Sequence, residues 1–195
     1  MRDSKARPLV LASSHDVELA ALASGGDRPA FGELVRRHGS AVRALLRRMG
    51  ADTGQADDVA QDAFLAAFEQ ITDYRGEGTF QAWVKRIAAR QYVKRRRREA
   101  RVDLMAEPPE PEAQVFDNGA GVARRIDLDE ALQCLSAAER LCVSLCYGGG
   151  LSHTEAADAI NAPLGTVKSH VKRGLEKLRA RLVAGEDGAG SQLHG

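Results

Sequence analysis

The sequence predicts an all-α chain: two small helical domains, 15–98 and 124–184, joined by a flexible acidic linker, 99–123. Three observations predict it. Ala, Leu and Arg are abundant and β-branched runs are scarce, which favours helix over strand. Apolar residues recur at helical spacing in two separate stretches. Between them, Asp103 to Asp117 holds five acids and no base, with Pro108, Pro109 and Pro111 interspersed, a composition that excludes regular helix. The 195 residues suit two small units, and 44% hydrophobic content suits folded cores.

Taken in order, residues 1–14 read as a flexible N-terminal tail. Phe31, Leu34, Val35, His38, Val42, Leu45, Leu46 and Met49 then form one stripe of a long helix, broken at Gly50 to Gly54. A second helix starts near Ala56, with Val59, Ala63, Phe64, Ala67, Phe68 and Ile71 inward and Asp58, Gln61, Asp62 and Glu69 outward. Tyr74 to Gly78 is a Gly-rich loop. Thr79 is placed to cap a third helix carrying Phe80, Trp83, Val84 and Ile87 on one face. That helix runs into Arg95 to Arg98, where no apolar face remains and the first domain is expected to end. Beyond the linker, Leu128, Ala131, Leu132 and Leu135 restore helical spacing, and Ser136 opens a helix that stops at Gly148 to Gly150. Ser152 and Glu155 form a capping box for a short helix to about Asn161. After the turn Ala162 to Gly165, Thr166 is expected to cap the last long helix, with Val167, Val171, Leu175, Leu178 and Leu182 inward. Residues 185–195 read as a C-terminal tail.

Net charge is +1, but the charge is uneven. Lys85 to Arg101 holds nine Lys or Arg and one acid, and Leu164 to Arg181 holds six and one. Basic helical blocks suit phosphate backbones. Three cysteines are a poor disulfide framework. No signal peptide and no run near the ~20 apolar residues of a membrane span is visible, so the chain is expected in the cytoplasm with no membrane insertion.

Three constellations carry chemistry. Two helices joined by a short turn, the second one basic, form a helix-turn-helix pattern. With Val167 and Val171 inward, Lys168, Ser169, Lys172 and Arg173 point outward from the first two turns of the last helix, the end that meets base edges in the major groove. The third helix sets Trp83 beside Lys85, Arg86 and Arg90, next to a loop with Tyr74 and Arg75. Aromatics beside cations suit unpaired bases, while Trp83 equally fits a core position. The stripe Asp58, Gln61, Asp62 and Glu69 reads as acid/base or Mg²⁺ chemistry, a solvated face or a protein-docking face, and composition leaves all three open. Cys142 and Cys146 with His153 lack a fourth ligand for zinc, and core packing is the better reading. No cofactor motif and no nucleophile motif appears.

These residues together resemble the extracytoplasmic-function (ECF) sigma factors of the sigma-70 family, bacterial RNA polymerase sigma subunits. Ala56 to Leu65 is similar to the family's region 2.2. Tyr74-Arg75-Gly76 and Phe80 to Ala88 are similar to region 2.3. Leu135 to Arg140, Leu151 to Ala157 and Gly165 to Val171 are similar to region 4. The resemblance implies a transcription initiation factor without enzymatic activity. Its partners would be core RNA polymerase, promoter DNA as duplex and as melted strand, and an anti-sigma factor. Asp57, Asp58, Gln61 and Asp62 would dock on polymerase. Tyr74, Arg75, Thr79, Trp83, Lys85, Arg86 and Arg90 would melt and hold the minus-ten element. Thr166, Lys168, Ser169, Lys172 and Arg173 would read the minus-thirty-five element. The chain departs from the family at Arg90, where Asn is usual, at Lys94, where Asp is frequent, and at His170, where Arg is usual. Arg offers donors alone where Asn offers a donor and an acceptor, so strand capture is expected to lean more on charge. The alternative function is a helix-turn-helix regulator that never joins polymerase.

Overall fold

A computed structural model describes residues 11–103, 128 and 130–189. Every regular element among them is helical: α1 (Asp16–Ser24), α2 (Arg28–Arg48), α3 (Thr53–Glu69), a 3₁₀ turn (Ile71–Asp73), α4 (Phe80–Asp103), α5 (Ala137–Val143) continuing as a π turn (Ser144–Gly148), α6 (His153–Ile160) and α7 (Leu164–Ala189).

Side-chain caps set where the helices begin. The Asp27 carboxylate accepts from the Ala30 N–H at 3.2 Å, and Asp52 accepts from Gln55 at 2.8 Å. The Thr79 hydroxyl accepts from Ala82 at 3.1 Å. Ser136 with Glu139, and Ser152 with Glu155, form reciprocal capping boxes. Each cap satisfies N–H groups that the helix itself cannot pair. Gly50 (φ 104°) closes α2 and Asn161 (φ 55°) closes α6; Asn is the non-Gly residue that best tolerates this left-handed stop.

Helices α2, α3 and α4 pack as a three-helix bundle with α1 laid along α2. Its core is Leu34, Val42 and Leu46 from α2, Val59 and Ala63 from α3, and Phe80, Val84 and Ala88 from α4, all nearly or wholly excluded from solvent. Fully burying one such large side chain contributes about 1.5–3 kcal/mol. Helices α5, α6 and the first half of α7 form the helix-turn-helix unit, pinned by Cys142, Leu145, Ala156, Val167 and Val171. These residues belong to the same continuous core as the bundle. The two expected domains therefore pack on each other through an apolar seam.

Several boundaries differ from the sequence expectation. Residues 11–14, expected in the tail, are held: Leu11 is buried, and Arg37 donates to the carbonyls of Leu11, Ala12 and Ser14. Helix α4 runs past 98 to Asp103, because Arg95 pairs with Glu99 one turn on, and long Lys and Arg side chains propagate a solvated helix well. Helix α7 likewise extends past 184 to Ala189. Thr166 does not cap α7, which begins two residues earlier; the Pro163 carbonyl receives the N–H of Thr166 at 2.9 Å. Residues 104–123 of the expected linker, residues 1–10 and the end of the C-terminal tail lie outside the described residues.

Arg37 also pairs with Glu33 and Asp16, and Glu33 binds Arg36 as well. The hydrogen bonds from Arg36 and then Arg37 bring the Glu33 carboxyl down from 4.5 to about 2. A depressed carboxyl stabilises the fold above its unfolded pKa and loses that contribution as pH falls through the folded value. Glu33→Gln is thus expected to be less stable than the parent at neutral pH, by about 0.5–1 kcal/mol for a pair this near solvent. The gap should close between pH 4.5 and about 2, as read by urea midpoints. A constant difference across that window would remove the assignment.

Candidate nucleic-acid and protein interfaces

Asp57, Asp58, Gln61 and Asp62 are all exposed, on the face of α3 opposite Val59, Ala60, Ala63 and Phe64. Their side chains diverge. Asp57 reaches Arg43 of α2 at 2.7 Å, while Asp58 faces Arg95 of α4 at 3.5 Å. No group of three or more His, Cys, Asp or Glu converges among the described residues. Carboxylates spread toward two different helices suit contact with an extended surface better than one bound ion. Gln61 borders an open cleft of about 580 Å³ between α2 and α3, floored by Phe31, Val35, Phe64 and Phe68. Leu65, 58% exposed, stands on its rim. Polar residues around exposed apolar surface are the usual make-up of a protein-docking patch.

The residues expected to hold the minus-ten strand fall into two groups. Tyr74 and Trp83 meet at 5.5 Å between ring centroids, and Phe80 lies 5.5 Å from Tyr74 and 5.6 Å from Trp83. Both outer rings are half-buried, so Trp83 serves the core and still shows an edge to solvent. The Tyr74 hydroxyl donates to the Gly78 carbonyl at 3.1 Å, and burial raises its pKa. Thr79 spends its hydroxyl on the α4 cap, and Arg75 is exposed. Lys85 is half-buried; burial lowers its pKa, as does the charge of Arg48.

Arg86 and Arg90 form the second group, and they face the helix-turn-helix unit. Arg86 donates to the Gly150 carbonyl at 3.1 Å, and Arg90 pairs with Glu155 at 2.6 Å. Further along α4, Arg97 donates to the Ala159 carbonyl at 3.3 Å. The Ser152 backbone N–H lowers the Glu155 carboxyl first, helped by its hydroxyl and by the Arg86 and Arg90 charges. The sequence exposed Glu155 as a capping residue but not as a partner for Arg90, since periodicity carries no contact between distant segments.

On α7, Lys168, Ser169, Lys172 and Arg173 are exposed, as is Thr166, while Val167 and Val171 are buried. The Ser169 hydroxyl donates to the Gly165 carbonyl at 2.8 Å, leaving its lone pairs open. Arg173 lies 3.2 Å from His170 and 4.0 Å from Glu139. Glu139 is a buried acid, bound by Lys177 at 2.7 Å, and that hydrogen bond heads the causes lowering its pKa. The sequence reading missed this tie between α5 and α7, although the capping box at Ser136 marked Glu139. Cys142 is buried and Cys146 half-buried beneath the same unit. Burial raises both thiols, Cys146 to about 11, as is usual for cysteines packed in apolar surroundings.

Comparison with known proteins gives consistent matches. Residues 34–102 match the family model for Sigma-70 region 2, and residues 131–180 match Sigma-70, region 4. The chain is 33% identical over 181 residues to the RNA polymerase sigma factor NccH of Alcaligenes xylosoxydans xylosoxydans, covering 89% of this chain and 97% of that protein. It is 33% identical over 165 residues to the ECF RNA polymerase sigma factor SigE of Mycolicibacterium smegmatis, covering 80% of this chain and 62% of SigE. The chain thus spans less than two thirds of SigE and nearly all of NccH. Among solved structures, the sigma factor RpoE of Bartonella quintana, in complex with the anti-sigma factor NepR, aligns with a TM-score of 0.55 at 24% identity, over 78% of this chain and 96% of that one. That likeness shows the fold.

Proposed function

The chain belongs to the sigma-70 family of RNA polymerase sigma factors, and from that premise we propose that it binds core RNA polymerase and directs it to specific promoters. The observation that carries the reading is the ordered pair of matches, region 2 over 34–102 and region 4 over 131–180, on one chain. A helix-turn-helix regulator acting without polymerase would leave the first match without a role.

The residues divide the work as follows. Asp57, Asp58, Gln61 and Asp62 on α3, with the apolar cleft beside Gln61, dock on polymerase. Tyr74, Arg75 and Trp83 offer flat surfaces and a cation to unpaired bases of the minus-ten element, while Arg86 and Arg90 neutralise its backbone. Lys168, Ser169, Lys172 and Arg173 enter the major groove of the minus-thirty-five duplex. Thr79 contributes by fixing the start of α4, and Lys85 supplies charge from a half-buried position. The chain then acts in the cytoplasm beside its polymerase, and the family relation brings an anti-sigma protein as a further partner class. No described helix is long and apolar enough to cross a membrane.

The test is the combined variant Asp58→Ala, Gln61→Ala, Asp62→Ala. Each position is exposed, so each change should shift stability by less than about 0.5 kcal/mol. Affinity for core polymerase should fall at least tenfold with the urea midpoint nearly unchanged. Unaltered polymerase affinity in a folded variant would remove the assignment.

A further inference from the structure

Helix α1 buries only Leu19, Ala20 and Ala23, and charge fixes its start. Asp16, its first residue, accepts from Arg37 at 3.0 Å and lies 2.7 Å from His38 Nε2. Arg37 also holds the carbonyls of Leu11, Ala12 and Ser14 just before it. Thus anchored, α1 packs on the 3₁₀ turn Ile71–Asp73 and meets the loop that leads into α4. Val17 is 54% exposed, so it adds little to the core. Yet a Cβ built on Gly76 would stand 3.9 Å from Val17 Cγ1 and 4.0 Å from Cγ2. The side chain therefore meets the loop at its middle, which is where the loop lacks other support. The two ends are fixed: the Tyr74 N–H donates to the Ile71 carbonyl at 3.2 Å, its hydroxyl to Gly78, and Thr79 caps α4. Between them, Arg75, Gly76 and Glu77 take part in no hydrogen bond among the described residues. Gly76 (φ 76°) and Gly78 (φ 81°) both stand in the left-handed region, and glycine leaves the chain its widest freedom. A segment this free loses entropy when a strand orders it, and that loss weakens binding.

We propose that α1 is the wall behind this loop, and that Val17 is a positioning residue for base choice in the minus-ten element. Its side chain sets how far the backbone at Gly76 can retreat, and so where Tyr74 and Arg75 meet an unpaired base. Asp16 anchors the wall. Through His38, whose ring lies 5.5 Å from Phe80, the same anchor reaches the cluster of Phe80, Tyr74 and Trp83. The Asp16 charge is also felt at the Tyr74 hydroxyl, whose pKa is raised first by burial and then by that charge. Base contacts need such a frame more than backbone contacts do. A hydrogen-bonding edge tolerates displacements of only about 0.5 Å, whereas a cation near a phosphate neutralises it whatever the sequence. The wall therefore acts on discrimination between strands, and the charge of Arg86 and Arg90 on their common affinity.

This inference rests on the strand-holding role proposed for Tyr74, Arg75 and Trp83, and its test separates the two. Val17→Ala withdraws the wall, while Val17→Ile keeps a β-branched side chain against Gly76. Both variants and the parent are assembled on core polymerase. Each is titrated with a labelled minus-ten single-stranded oligonucleotide, its single-base variants and a scrambled strand. Val17→Ala should bind the cognate strand about three- to tenfold more weakly. Mismatched and scrambled strands should change little, so discrimination at one or two positions flattens. Val17→Ile should keep the parent profile. The urea midpoints of both free variants should stay near the parent's, as an exposed position allows. Unchanged discrimination by Val17→Ala overturns the proposal. A uniform loss across all strands overturns it too, because that is the mark of a merely structural role. Arg75→Ala tests the reading beneath. If it loses the preference for the cognate strand while Val17→Ala keeps it, the role of Val17 alone falls. If Arg75→Ala keeps the whole preference, the loop does not read the strand, and the role of Val17 falls with it.

Discussion

Phe80→Ala is expected to destabilise the chain by about 3–5 kcal/mol, as large-to-small changes of buried aromatics do. Phe80 is wholly buried at the first position of α4. Its ring lies 6.4 Å from Phe31, 5.5 Å from His38 and Tyr74, and 5.6 Å from Trp83. Three segments thus converge on one side chain: α2, the loop at Tyr74 and α4 itself. Removing it costs buried area, leaves a cavity and forfeits edge-to-face pairs worth about 0.5–1.5 kcal/mol each. The effect should also reach function, because Phe80 holds the Tyr74 and Trp83 rings in mutual contact. Urea unfolding reads the stability loss. Strand capture in conditions where the variant is still folded reads the second effect, and it should fall further than the folded fraction alone explains. Phe80→Leu keeps most of the apolar volume and should recover much of the stability but less of the strand binding. Equal recovery of both would mean that Phe80 serves the core and has no part in placing the rings.

The sequence carried the elements whose signals are local. The stripe from Phe31 to Met49 became α2, and the caps at Thr79, Ser136 and Ser152 stand where the residue types put them. The outward face of α3 and of α7 followed from helical phase once Val59 and Ala63, or Val167 and Val171, were taken as inward. Helix α1 was silent because its buried positions are Leu19, Ala20 and Ala23, a stripe too small to stand out. Its attachment depends on Arg37 and His38 reaching Asp16, more than twenty residues away. Thr166 misled because Thr favours caps, whereas Pro163, with its fixed φ, starts the turn first. The seam was illegible for a similar reason. Arg90 and Glu155 are 65 residues apart, and the seam's close approach depends on Ala89, Gly148 and Gly149, small residues that announce no partner.

Helix α7, proposed to enter the major groove, gives the other large expected effect, and the surroundings of Lys168 and Arg173 differ. Lys168 is exposed in the first two turns of α7, where side chains of a helix-turn-helix reach base edges. Arg173 sits further along, beside His170 at 3.2 Å and near the buried Glu139 at 4.0 Å. A guanidinium steadied from behind by a carboxylate is suited to a fixed backbone position, and phosphate contacts set register without reading sequence. Lys168→Ala is accordingly expected to weaken the cognate minus-thirty-five duplex by about 1–3 kcal/mol and to relax discrimination at one base pair. Arg173→Ala should weaken cognate and scrambled duplexes alike, and should lower the slope of log affinity against log salt by about 0.9, the value for one lost phosphate contact. Both are read by titrating the full chain on promoter polymerase complexes and on duplex alone. A uniform loss across sequences for Lys168→Ala would move that residue to the backbone. A sequence-dependent loss for Arg173→Ala with an unchanged salt slope would place its guanidinium on a base. If neither variant alters duplex binding, α7 does not enter the groove by this face.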